Sequence, residues 1–512
     1  MHGVIRAATP VALGGAPLTL DDLSAILSGA PVSLDSGVAA RVAPSRALVE
    51  RALSRGDTVY GVNTGFGQLK SVRIADADLS RLQVNLLRSH ASGMGPDLEP
   101  PVVRLMLALR AHSLALGASG VRLALIQHLV RMIERDLLPA VPSRGSLGAS
   151  GDLIPLSHLG LGVIGEGEMR IEGRRVPIAD VYRGAGLAPL PLEAKEGLAL
   201  INGTQAMTAV GAAALVEAGE ILRGAHLACA LSVDAARGSR APFDPRVHRL
   251  RPHPGQGDSA RVLWDLLDGS GILESHRGCG KVQDPYSLRC APQVLGASLQ
   301  AVRFAREAVV TEVNSVTDNP LCFAAEGDVV SAGNFHGEPV AQALDLLAIG
   351  MAEVGALSER RTYLLLDAAT SGLPPFLAPN PGLETGLMIV QYLQAALVSE
   401  NRMLAQPASV DSLPTSAGQE DHVSMGMHAA SKALTLVRNV RRIVAGELLC
   451  AAQGIHTLRP LRSSPRLQSA LDALRTVVPP LTADRRPDGD LAQLDASIQS
   501  GALADAAEVP IL

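Results

Sequence analysis

Between Glu338 and Arg361, apolar side chains at Leu344, Leu347, Met351, Val354 and Leu357 recur at helical spacing, which predicts a single helix of about six turns. The same period runs from Leu387 to Met403 and from Ser431 to Leu449. A shorter run, Val121 to Asp136, places Leu125, Leu129 and Met132 on one face with Ile126, Val130 and Ile133 beside them, and ends at Pro139 and Pro142. Each apolar stripe has to be covered, and helices this long cover one another by sharing a core. Composition supports that solution. Hydrophobic residues make up 47% of the chain but aromatics only 2%, with a single Trp264. A core resting on Leu, Ala and Val suits helix-on-helix packing better than a β-sandwich.

The expected fold class is therefore mainly α. A smaller mixed N-terminal domain over residues 1–115 precedes an elongated helical core over 116–512. In the first part, Thr19-Leu20-Asp21-Asp22 reads as a helix start capped by Thr19 or Asp21. Val59 to Gly67 is a loop, broken by Gly61, Gly65 and Gly67. A strand pair is expected around 166–176, turning at Glu172-Gly173, and the polar, proline-rich stretch from Pro479 to Gly489 is expected to wrap the surface.

Several function classes fall away. The net charge of −5 comes with no basic block, which argues against a nucleic-acid partner. Five scattered cysteines without a Cys-x-x-Cys spacing read as reduced thiols, not as a disulfide frame or zinc site. The N-terminus lacks a signal-peptide pattern, and the apolar run Cys229 to Val233 is too short to cross a bilayer. These features predict a soluble cytoplasmic protein with no membrane partner.

Against this helical background, Ser143 to His158 stands out. Gly145 and Gly148 lead into Ala149-Ser150-Gly151, Asp152 follows, and Leu153, Ile154, Leu156 and Leu159 come at once. Glycines that run straight into apolar sequence predict a buried kink in place of a surface turn. The common motifs do not account for it. Gly148-Ala149-Ser150-Gly151-Asp152 has Asp152 where a nucleophile elbow needs its second glycine. Gly65-Phe66-Gly67 has Lys70 where a dinucleotide fingerprint needs its third. There is no phosphate loop, and the 13 histidines include no metal-binding pair at i, i+4 with a carboxylate partner. What remains is a scatter of polar residues in apolar or glycine-rich settings: Tyr60, Asn63, His90, Asn202, Gln283, Tyr286, Arg289, Asn334, and Gln419 to His422, with Phe335 among them. Each alone has an ordinary structural explanation. They make a site only if the fold brings them together.

The segments GSLGASGDLIPLSH, YGVNTGFG, LLRSHASG, KEGLALINGTQ, VQDPYSLRC, NSVTDNPL, GNFHGEPVA and DSLPTSAGQEDHVSM, in order along nearly the whole chain, resemble the aromatic amino acid ammonia-lyase family. The resemblance implies that Ala149-Ser150-Gly151 cyclises, with loss of two waters, to 4-methylidene-imidazol-5-one (MIO). Glycine is needed there for reach and serine for the methylidene. Asp152 matches the acidic neighbour of that tripeptide, and no metal, nicotinamide or pyridoxal phosphate is implied. Tyr60 matches the catalytic base, although a phenol with its ordinary pKa of about 10 needs that value lowered to act near neutrality. Asn202, Gln283 and Tyr286 match residues that surround and polarise the electrophile, Arg289 the partner of the substrate carboxylate, and Phe335 a pocket wall. The likeness is greatest to the histidine-specific members, which convert L-histidine to trans-urocanate and ammonia, the first step of histidine degradation. Glu420 carries that preference, because a carboxylate suits an imidazole and is costly against a phenyl ring. His90 implies a polar ring, although tyrosine-specific members also carry His at one of these sites, and Met388 would line the same ring pocket. Gly418 stands where Asn is more usual in the family, and 277–280 differ slightly. The family also implies a homotetramer with each pocket built from three subunits. A lyase or aminomutase acting on tyrosine or phenylalanine, and an inactive helical scaffold, are the alternatives.

Overall fold

The computed structural model describes residues 10–65 and 71–511. Phe66, Gly67 and Lys70 of the first glycine loop lie outside the described residues. The chain is mainly helical, and its longest helices are Gln205–Ala235, Ala291–Val313, Glu338–Leu366 and Gly426–Thr457. The stripe from Glu338 thus continues to Leu366, and the one expected from Ser431 begins earlier and ends later. Met388–Leu404 and Leu123–Glu134 fall where the periodicity placed them. Glu338–Leu366 is long and apolar enough to cross a membrane by length and composition, but 61% of its most apolar stretch is buried within the fold.

Two compact units are discontinuous in sequence. The first comprises the described residues up to Ala213 with Arg306–Leu344 and Pro407–Ser431; the second comprises Ala214–Ala305, Asp345–Gln406 and Lys432 onward. The first unit runs past the boundary expected near residue 115. Pro100–Ala115 packs on Leu123–Glu134 and on Leu20–Leu27, so no seam falls there. Every residue from Val102 to Ala115 is buried. A helix covered on all sides has no polar face and so no amphipathic period to read.

Sheet among the described residues consists of four two-stranded pairs. Glu168–Ile171 pairs antiparallel with Arg174–Pro177. Glu172 (φ 48°) and Gly173 (φ 80°) form the expected turn, and two left-handed central residues match the twist of a two-residue hairpin. Thr19 caps Leu20–Leu27 in a full capping box with Asp22. In the second unit, Arg485 holds the proline-rich stretch by donating to the Pro479 and Pro480 carbonyls at 2.7 and 2.9 Å.

Candidate active site

The kink at Ser143–Gly151 is a backbone construction that requires glycine at Gly148 and Gly151 for two reasons each. Gly148 and Gly151 have φ +69° and +75°, in the left-handed region. They also sit in close quarters. A Cβ on Gly148 would lie 2.2 Å from Ser424 Oγ, and one on Gly151 would lie 2.2 Å from the Gly203 carbonyl oxygen. The turn is held on both sides. The Asp152 amide donates to Gly203 O at 2.7 Å, Asn202 Nδ2 donates to Ser150 O at 2.7 Å, and the Met425 amide donates to Leu147 O at 2.8 Å. Leu156 and Leu159 are fully buried behind it, as expected, whereas Leu153 and Ile154 are half-buried.

Asp152 precedes Leu153–Val163 without capping it. Its fully buried carboxylate accepts from Ser146 Oγ and from the Met207 amide, both at 2.7 Å. Met207 lies in the first turn of Gln205–Ala235, so the carboxylate caps the positive end of a 31-residue helix. Burial pushes the acid up to about 6, while the Met207 amide, the Ser146 hydroxyl, the Ala206 amide and the Arg110 charge pull it down. Arg110 is buried as well. It donates to the Ala199 and Asn202 carbonyls at 2.5 and 3.0 Å and to Gln205 Oε1. Burial lowers its pKa to about 10 against the pull of Asp318 and Asp152. Beside it, Lys195 Nζ meets Asp318 at 2.6 Å with both side chains wholly buried. These charges fix the segment that ends in Asn202, and sequence reasoning missed Arg110 and Lys195.

A cavity of about 1410 Å³ opens over the turn. Tyr60, His90, Ala149, Ser150, Asn202, Phe335 and Glu420 all line it, with Gly151 buried beneath. Ser150 Oγ donates to Glu420 Oε1 at 2.7 Å, and Thr415 Oγ1 donates to Glu420 Oε2 at 2.9 Å. Glu420 sits at the end of a tight loop in which Ser416 and Ala417 (both φ 51°) and Gly418 (φ 83°) are left-handed. Such strain in residues with side chains clusters at functional sites. Gly418 suits its place, since glycine adopts that conformation without penalty. His90 closes the helix Leu79–His90. Its Nδ1 donates to Leu86 O at 2.9 Å.

His422, from the candidate stretch Gln419 to His422, also lines the cavity, together with His336, which sequence reasoning did not single out. The rings of His336 and His422 stack with centroids 5.8 Å apart and planes at 9°, and His336 Nε2 donates to His422 O at 3.2 Å. The motifs NFHGE and EDHVS carry these residues, but nothing in either predicts the stack.

Gln283, Tyr286, Arg289 and Met388 belong to the second unit and do not line this cavity. Tyr286 is 70% exposed, and the Arg289 guanidinium lies 4.9 Å from the centre of its ring. Asn63 and Asn334 have structural partners. Asn63 accepts from the Val59 amide and donates to Asp57 O, while Asn334 donates to Val316 O. Among the described residues no cluster of His, Cys, Asp and Glu could hold a metal ion. All five cysteines are free.

The sequence and the fold have close counterparts. The model of the aromatic amino acid lyase family matches residues 18–476. A histidine ammonia-lyase of Sorangium cellulosum is 52% identical over 504 residues, covering 96% of this chain and 98% of that one. The crystal structure of histidine ammonia-lyase from Trypanosoma cruzi superposes with a TM-score of 0.91 at 43% identity, covering 98% of this chain and 96% of that one. A tyrosine aminomutase from Streptomyces globisporus superposes with a TM-score of 0.93 at 35% identity, covering 98% and 99%. The chain is a carbon–nitrogen lyase on a helical scaffold. It belongs to the aromatic amino acid lyase family.

Proposed function

We propose that the chain is a histidine ammonia-lyase, eliminating ammonia from L-histidine to give trans-urocanate. The observation that carries this reading is the 2.7 Å hydrogen bond between Ser150 and Glu420, which sets a carboxylate at the reacting turn. An imidazole can donate to that carboxylate or pair with it, whereas a phenyl ring would leave it desolvated and unpaired. The Glu420 position therefore favours histidine over the aromatic substrates of an aminomutase.

The turn fits an MIO group made from its own backbone. Gly151 lies where no Cβ could be accommodated, Ala149 is buried, and the Ser150 hydroxyl is the one to be lost. Closure joins the Gly151 nitrogen to the Ala149 carbonyl carbon and releases one water; loss of the Ser150 hydroxyl and α-hydrogen releases the second. Once formed, the group supplies the strong electrophile that side chains lack.

The chain's own residues do the rest. Asn202 donates to the Ser150 carbonyl oxygen and polarises it. Tyr60, in the cavity wall, is the proposed base for the β-proton, and His90 and Phe335 bound the ring site. Arg289 is the proposed partner of the substrate carboxylate, where its planar fork suits bidentate binding. Gln283 and Tyr286 would add hydrogen bonds to the electrophile, and Met388 would pack on the ring. Because these four do not line the cavity of their own chain, we infer that other copies supply them in a homotetramer. A cytoplasmic site of action fits the five free thiols.

The test combines mass and product. Intact wild-type chain should be two waters lighter than its sequence, and L-histidine should yield the absorbance of urocanate. Ser150→Ala has no hydroxyl to lose, so its mass should match its sequence and its turnover should fall by several orders of magnitude. Full turnover in that variant would sink the mechanism, and faster turnover of tyrosine than of histidine would sink the substrate.

A further inference from the structure

The second unit contains a cavity that shares no residue with the cleft. It has a volume of about 300 Å³ and lies between the end of Gly426–Thr457 and the helix Pro465–Val477. Its polar lining is strongly one-sided: Arg459, Arg462 and Arg475 with His456, against the single carboxylate of Asp472. None of the three arginines makes an ion pair among the described residues. Arg475 donates only to backbone carbonyls, Ala452 O at 2.7 Å and Val478 O at 3.3 Å. Asp472 is exposed and already accepts from Gln468 at 2.7 Å. The one further arginine near Arg475, Arg485, is neutralised by Asp490 at 2.8 Å. The wall therefore holds about two uncompensated positive charges. Nδ1 of His456 is buried there without a hydrogen-bond partner, and an unmade bond at a buried polar atom is expensive to leave.

We propose that this cavity is a binding site for a small dianionic phosphate, either inorganic phosphate or a phosphate monoester. The charge count matches a dianion, guanidinium forks suit tetrahedral oxyanions, and a phosphate oxygen would accept from His456 Nδ1–H. Ile455, Leu461 and Leu471 supply an apolar wall that could hold the organic part of an ester. The free site bears the mark of crowded positive charge. Burial, Arg459 and Arg485 bring Arg475 down to about 10 against the pull of Asp490, and burial, Arg459 and Arg475 hold His456 below the ordinary histidine value. Bound anion reverses the effect of the arginines on His456, so binding should take up protons in the range where a histidine titrates.

Calorimetry on the full-length protein, at constant ionic strength in phosphate-free buffer, tests this. Inorganic phosphate should bind saturably at one site per chain. Arg459→Gln and Arg462→Gln alter exposed side chains outside the cleft, and each should weaken binding about tenfold while leaving histidine turnover in phosphate-free buffer unchanged. Sulfate stays a dianion at all pH values used. Its binding should take up protons near pH ~6, and His456→Gln should abolish that uptake. Glycerol 3-phosphate separates the sources: tighter binding than inorganic phosphate identifies a monoester, and equal binding identifies the free ion. Absence of saturable binding, or affinity unchanged in both arginine variants, would overturn the proposal.

Discussion

Ser150 and Glu420 are 270 positions apart and meet at 2.7 Å. Glu420→Gln keeps the size of the side chain and one accepting oxygen but removes the charge offered to an imidazole. Hydrogen bonds to charged groups are worth about 1.5–3 kcal/mol, so kcat/KM for histidine should fall by roughly 10- to 100-fold with little change in melting temperature. A variant equal to wild type on histidine would remove Glu420 from substrate recognition. Asp152 makes a different prediction. Its folded value is raised from 3.8 to about 6 by burial. Below pH ~4 the group is neutral in both states and costs nothing; as pH rises to 6 the unfolded chain ionises first, and stability is lost up to the folded value, by about 3 kcal/mol. Asp152→Asn lacks this titration. The melting temperature of wild type should therefore drop relative to the variant between pH ~4 and ~7, and parallel profiles would show that the carboxylate is not desolvated. At this scale the sequence announced residue types but not company. Tyr60, His90, Asn202 and Glu420 converge on the turn, yet Asn63 and Asn334, set in equally suggestive motifs, do structural work. The His336–His422 stack depends on two loops meeting in space, which no local pattern encodes.

At the level of elements, helices with one wet face were readable and helices without one were not. Met388–Leu404 alternates buried and exposed sides, and its stripe was visible from residue spacing alone. Gln205–Ala235 is buried along almost its whole length and rich in Ala and Gly, so its sequence has no contrast to detect. The short helix Glu196–Ile201 shows what else was hidden. It starts from Lys195 in a left-handed conformation (φ 72°) and delivers Asn202 to the turn. Its anchor is the wholly buried Lys195–Asp318 pair. Lys195→Met strands a buried carboxylate, and breaking such a pair costs about 3–5 kcal/mol. Denaturant unfolding should show that loss, and adding Asp318→Asn should recover part of it. If the double variant were less stable than Lys195→Met alone, Asp318 would have some other essential partner.

For the molecule as a whole, the helical class follows from the stripes, but the division into units does not, because four of its five boundaries fall inside the long helices. A linker leaves a compositional mark; a boundary within a continuous helix leaves none. The same limit applies to the site. VQDPYSLRC is as recognisable a segment as the Ala-Ser-Gly turn, yet Gln283, Tyr286 and Arg289 do not line the cavity formed around Ser150. If neighbouring subunits complete each pocket, two dead variants should repair one another. Ser150→Ala retains Arg289 but has no electrophile, whereas Arg289→Ala retains the electrophile but lacks the carboxylate partner. Co-expressed and randomly assorted in one closed oligomer, they should pair an intact turn with an intact arginine in about a quarter of the pockets. Activity per chain should recover to about that fraction of wild type, and each variant expressed alone should stay near zero. Co-expressed chains as inactive as the separate ones would mean that Ser150 and Arg289 must come from the same copy.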